Sequence, residues 1–155
     1  MTNVNSATAI SGHGVTVGVP ARWDVRIFRR GGGGVTAHLA NFALPHRDGE
    51  FGTRTTLTMP ASGLFLALTE YLPDKHLAVG RGLYAAARPK LLQPGDFQTH
   101  ALLHIRPGQT GLQRFFSEAG RAFCLYVVAS EAHVVGHAAL ATEIISTLRV
   151  SRISP

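Results

Sequence analysis

A chain of 155 residues with 45% hydrophobic content is long enough to bury one core without covalent staples. Its single cysteine, Cys124, excludes an internal disulfide, and no apolar run reaches the length needed to cross a bilayer. The formal charge is +6 and the pI about 10.4, but Lys75 and Lys90 are the only lysines and the arginines are dispersed, a composition that a GC-rich genome favours without any ligand.

The first 14 residues are small and polar, and are expected to be flexible or loosely packed. They lack a basic head followed by an apolar run, so no secretory signal is read and a cytoplasmic location is expected. Val15–Val19 alternates and predicts a first strand, ended by the turn Pro20–Trp23, where Pro20 cannot extend a ladder. Asp24–Arg30 alternates again, and Gly31–Gly34 makes a hairpin loop before a strand in Val35–Leu44. The four glycines are no phosphate cradle, because that motif needs a lysine and a hydroxyl at fixed offsets and a helix straight after.

Pro45–Gly52 reads as a surface loop, and Thr53–Met59 as either a short strand or one helical turn. Leu64–Leu72 is apolar on both parities and is expected at the centre of the sheet. Pro73–Pro94 is irregular, with short helical turns near Arg81–Ala87 and Pro89–Asp96, and Phe97–Ile105 is expected to be a strand. Thr110–Ser130 is the strongest signal: two apolar strands around the polar turn Ser117–Arg121, with Cys124 as a small buried hydrophobe. In Glu131–Leu148, Val134, Val135, Ala138, Ala141, Ile144, Ile145 and Leu148 recur at helical spacing, with Ser130 as N-cap.

Chemistry-bearing residues are sparse. Glu70 has no second carboxylate nearby for acid–base work, so a structural ion pair with an arginine is favoured. His133 and His137 are four apart on a helix without the glutamate of a metalloprotease motif, and two solvated histidines are the favoured reading. His100 and His104, on a strand, would share a face but stand about 13 Å apart, too far to chelate one ion. Arg22, Arg26, Arg29 and Arg30 make the densest basic cluster, with Arg29 on the opposite parity from the other three. No catalytic residue, metal site or cofactor is assigned.

Val17-Gly18-Val19-Pro20-Ala21-Arg22-Trp23 resembles the opening of PsbP-like domains, the superfamily of the photosystem extrinsic subunit and the yeast Ran-binding nuclear import factor. The hairpin from Gln113–Phe116 to Phe123–Val128 and the end of the final helix, Ile145–Val150, are similar in order. The resemblance implies an α+β fold: about six antiparallel strands flanked by helices as an α/β/α sandwich, with the C-terminal amphipathic helix on one face. It also implies a non-catalytic domain, although the chain lacks the lipoprotein cysteine of anchored members.

One domain over 15–150 is expected, with residues 151–155 a tail. The preferred function is a bacterial-type protein-binding adaptor or chaperone-like domain, its partner at an uncovered sheet face or edge rimmed by Arg22, Arg26, Arg29 and Arg30. Self-association through a free sheet edge is open. The alternative is a small-ligand binder or hydrolase with a pocket between sheet and helix, lined by Glu70, His76 and Tyr84 under a lid of Pro73–Asp96. Nucleic-acid binding through the basic charge is a further, less favoured reading.

Overall fold

Alternation of side chains across a pleat, interrupted by short turns, yields antiparallel neighbours throughout the chain. The computed structural model describes residues 8–152. Along them run β1 (Thr8–Gly12), β2 (Val15–Val19), β3 (Asp24–Arg29), β4 (Val35–Ala40) and a short helix α1 (Thr53–Leu57). Then come β5 (Leu64–Tyr71), β6 (Gln109–Glu118), β7 (Arg121–Ser130), helix α2 (Val134–Ser146) and the two-residue β8 (Arg149–Val150). A 3-10 turn, Glu131–His133, leads into α2.

The strands form two antiparallel sheets: a large one in the order β3-β4-β5-β7-β6 and a small one in the order β1-β2-β8. The hairpin β6–β7 pairs Glu118 with Arg121 across a two-residue turn. Ala119 and Gly120 stand there at φ 52° and 72°, the twist-matched hairpin geometry. All ten residues of β7 are buried. β5 lies third of five strands, as its two-sided apolarity predicts.

The α/β/α sandwich is not what the chain adopts. The fold is mostly β, and the only long helix among the described residues is the 131–146 run. Three local expectations account for the difference. Residues 8–12 form β1 and pair with β2, where a loose terminus was expected; residues 1–7 and 153–155 lie outside the described part. Phe97–Ile105 makes a 3-10 turn and a single bridge, Gln98 to Gly111, in place of a strand. Its backbone is satisfied by side chains: Gln113 donates to the Ala101 carbonyl at 2.8 Å, and Leu103 N–H donates to the Tyr126 hydroxyl at 3.0 Å. Finally, Gly80, Gly82, Pro89, Pro94 and Gly95 limit the 80–96 segment to isolated 3-10 turns, so no second helical layer forms.

One face of the large sheet carries Val35, Ala37, Leu39, Leu64, Leu66, Leu68, Phe123, Leu125 and Val127. It packs on β2 of the small sheet together with Ala138, Ala141, Ile144 and Ile145 of α2. Each valine, leucine, isoleucine or phenylalanine among them contributes about 1.5–3 kcal/mol on leaving water. The helix and the small sheet are joined at Thr147, whose hydroxyl accepts from Gly18 N–H at 2.8 Å. The second face carries Ala40, Phe65, Ala67, Tyr126 and Val128, covered by Leu44, Phe51, Met59 and Leu102 from the intervening loops. The sheet is therefore closed on both faces by its own chain.

The segment expected as a lid is tied down. Thr142 of α2 accepts from Leu92 N–H at 3.0 Å, and Arg88 donates to the Ile145 and Leu148 carbonyls at 3.0 and 2.6 Å. Arg88 thereby caps the C-terminal end of α2, where carbonyls lack helical partners. Ser117 N–H donates to the Ala86 carbonyl at 3.0 Å, so the same segment also shields the outer edge of β6.

Candidate functional site

Glu70 closes the first face at the hairpin end of the sheet. Its carboxylate meets Arg121 in a forked pair, Nε to Oε2 at 2.8 Å and Nη2 to Oε1 at 3.0 Å, and accepts from Val35 N–H at 3.1 Å. Burial pushes this carboxyl up, but the hydrogen bonds from Arg121 and Val35 outweigh it and hold the group below its ordinary value. Arg121 further donates to the carbonyls of His13 and Ser151 at 3.2 and 3.1 Å. The ion pair favoured for Glu70 is thus present, and it clamps the small sheet onto the large one.

The pocket expected at Glu70, His76 and Tyr84 does not assemble. Glu70 is occupied by Arg121 on the first face. Tyr84 packs on Tyr71 and Phe115, ring centroids 6.4 and 5.7 Å away, and both of those rings belong to the second face. His76 is exposed in the 72–80 loop, its N–H donating to Asp74 at 2.7 Å. Between sheet and helix the free space is about 20 Å³, lined by Val15, Leu66, Ile144 and their apolar neighbours, room for little more than one water.

The four arginines also part company. Arg22 sits exposed in the turn before β3, at φ 71°, and Arg29 is exposed at the end of β3. Arg30 is drawn inward: it donates to Thr36 Oγ1 at 2.6 Å, pairs with Glu50 at 3.3 Å and lies over the Tyr71 ring. Arg26 donates to the His46 carbonyl at 2.7 Å and is the member of the cluster that lines a cleft.

That cleft, of about 370 Å³, opens between the second face of β3–β4 and the loop Leu44–Thr55. Strand parity places Arg26 opposite His38 and Phe28 opposite Thr36, all toward this face. His38 is 2% exposed, with its ring edge-on to Phe28 and Phe65 at 5.3 and 5.2 Å. Its Nε2 lies 3.0 Å from the Glu50 carbonyl, which can only accept, so Nε2 carries the proton. Burial lowers the pKa of His38 more than the Glu50 carbonyl and the Asp48 charge raise it, and the neutral ring is favoured.

Asp48 organises the loop. It accepts from Gly49, Arg54 and Thr55 N–H at 2.8, 3.0 and 2.7 Å, and from the Thr55 hydroxyl at 2.6 Å. These bonds more than offset the effect of burial and keep its carboxyl below the ordinary value. Two of them satisfy N–H groups in the first turn of α1. Gly52, at φ 66°, lets the loop press onto the sheet, since a Cβ there would stand 2.4 Å from the Phe65 ring. Sequence reading passed over His38, His46, Arg47 and Asp48. The available signal was polar Thr36 and His38 on one parity of an otherwise apolar strand.

The histidine pairs also depart from expectation. At 100° per residue, His137 falls within the arc of Ala141, Ile144 and Leu148, whereas Val135 lies about 150° from its centre. His137 is accordingly 9% exposed and Val135 71%, the reverse of the expected stripe; His133 remains exposed. Their rings stand 5.6 Å apart, and burial together with the His133 charge lowers the pKa of His137. His100 and His104 lie on the irregular 97–108 segment, and among the described residues no group of three or more His, Cys, Asp or Glu is placed to hold a metal. Cys124 is buried and its thiol is pushed up to about 12 by burial.

Comparison of the chain with protein-family models, with curated proteins and with solved structures finds no match. The PsbP-like resemblance therefore rests on the residues quoted for it. No helix among the described residues is long and apolar enough to cross a membrane.

Proposed function

We propose that the chain is a non-catalytic protein-binding domain of adaptor or chaperone type that works in the cytoplasm. The observation that carries this reading is an apolar outer surface on the layer covering the second face. Leu57, Leu103 and Ile105 are 63%, 47% and 72% exposed there. They sit on two adjoining segments: Thr53 Oγ1 meets His104 Nε2 at 3.5 Å, and Gln109 donates to the Thr56 carbonyl at 2.8 Å. Large apolar side chains grouped on one surface mark an interaction site more often than they serve the isolated fold. A partner protein's apolar side chains are the chemistry that would cover them.

The basic charge lends less support to nucleic acid. Arg26, Arg30, Arg88, Arg114, Arg121 and Arg149 are each engaged with carbonyls or carboxylates of the chain itself. The test is paired substitution, Leu57→Asp with Ile105→Asp, against Leu83→Asp, an exposed leucine on a different segment. Surface changes of this kind alter stability by within about 0.5 kcal/mol. The paired variant is expected to lose host proteins that the wild type and Leu83→Asp both retain. Equal capture by all three defeats the reading.

A further inference from the structure

We infer that the cleft between β3–β4 and the Leu44–Thr55 loop binds a small organic carboxylate that also carries a hydrogen-bond donor. This inference is independent of the apolar surface and rests on which polar groups in the cleft are already used. Asp48 is the acid in its lining, and its two oxygens take four hydrogen bonds from the loop and α1. Both oxygens are turned to the loop and pair with neither Arg26 nor Arg47, so two guanidinium groups face one carboxylate and the lining keeps a net positive charge.

Arg26 and Arg47 supply two guanidinium groups to the same lining. Arg26 uses only Nη1, on the His46 carbonyl, among the described residues; Arg47 is exposed and has no ion-pair partner among them. A planar fork matches a carboxylate in geometry and charge. At the buried end, His38 is held with Nε2 donating to Glu50, which leaves Nδ1 as a lone-pair acceptor with no protein hydrogen bond among the described residues. An acceptor and cations in one lining ask for a donor and an anion in one molecule. Phe28, half-buried beside His38, offers an apolar wall for the body of such a molecule. The volume, about 370 Å³, suits a molecule of roughly ten heavy atoms.

The test uses the full chain and three probes: 4-hydroxybenzoate, benzoate and inorganic phosphate. Binding is read from the imidazole nitrogen resonances of His38 by NMR at neutral pH. 4-Hydroxybenzoate is expected to shift His38 Nδ1 saturably at millimolar concentration. Benzoate, which lacks the donor, should bind about tenfold more weakly and leave Nδ1 nearly unmoved, and Arg47→Gln should weaken 4-hydroxybenzoate by about tenfold, the loss of one charge-assisted hydrogen bond. Arg47 is exposed, so its replacement leaves the fold intact, and an unchanged amide spectrum checks this. Phosphate that binds as tightly as 4-hydroxybenzoate reduces the cleft to a simple anion site and overturns the inference. So does the absence of a saturable His38 response, or equal affinity in Arg47→Gln.

Discussion

Replacement of Arg121 by methionine tests the clamp between the sheets. Arg121 and Glu70 have side chains only 3% and 5% exposed, and two of their atom pairs are within 3.0 Å. Methionine keeps the aliphatic stem and removes the guanidinium. Glu70 then stays buried with the Val35 N–H as its one remaining donor, and the His13 and Ser151 carbonyls lose theirs. Stranding a buried charge in this way costs about 3–5 kcal/mol, a large part of the roughly 5–15 kcal/mol that holds a domain together. The double variant Arg121→Met with Glu70→Leu strands no charge. It should be more stable than the sum of the single changes by at least about 1 kcal/mol.

Urea unfolding gives the midpoint and slope for each variant. The wild type should also show the linkage of a depressed carboxyl. Glu70 has a folded pKa below its ordinary 4.5, so its contribution is complete above that value and is lost as pH falls through the folded pKa. Glu70→Gln should flatten this part of the acid limb. A loss below about 1 kcal/mol for Arg121→Met, or strict additivity in the double variant, would show that the pair is not the clamp.

Three further outcomes follow from the second face and β7. His38 is depressed by burial, so the unfolded chain takes up its proton first; stability should fall as pH drops from 6.5 toward the folded pKa, and His38→Gln should show a shallower decline in urea midpoint over that range. Gly52→Ala combines a left-handed φ with a methyl 2.4 Å from the Phe65 ring and should lose about 2–4 kcal/mol; a loss under about 0.5 kcal/mol contradicts the packing of the loop on the sheet. Cys124 should resist an aromatic disulfide reagent in the native protein and react fully in denaturant, because its thiol is buried and its pKa is pushed up to about 12; rapid native labelling would place it at a surface.

Period and turn chemistry are local, and what depends on them was legible along the chain. Two strand-length stretches rich in aromatic and branched residues on either side of a polar turn read as a hairpin, and β6 and β7 are that hairpin. The two-sided apolarity of Leu64–Tyr71 placed it among central strands, and the isolation of Glu70 in that run called for an arginine. Cys124, between Phe123 and Leu125, had nothing to activate it.

Partnership across long separations was decided by tertiary structure. β8 is two residues, too short for any periodic signal, and exists because Arg149 and Val150 meet Thr16 and Val15 at the far end of the chain. Residues 8–12 look polar and loose until β2, buried on its inner face, offers them a ladder. Those pairings built a second sheet where a loosely packed N-terminus and one short strand had been expected. The cleft has the same origin. His38 becomes a poised acceptor only when the Glu50 carbonyl is brought to its Nε2, and that requires Asp48 to fold the loop and Gly52 to let it reach Phe65. Hydrogen-bond partners drawn from separate segments leave no spacing to read, so the chemistry of the cleft emerged only when the loop closed over the sheet.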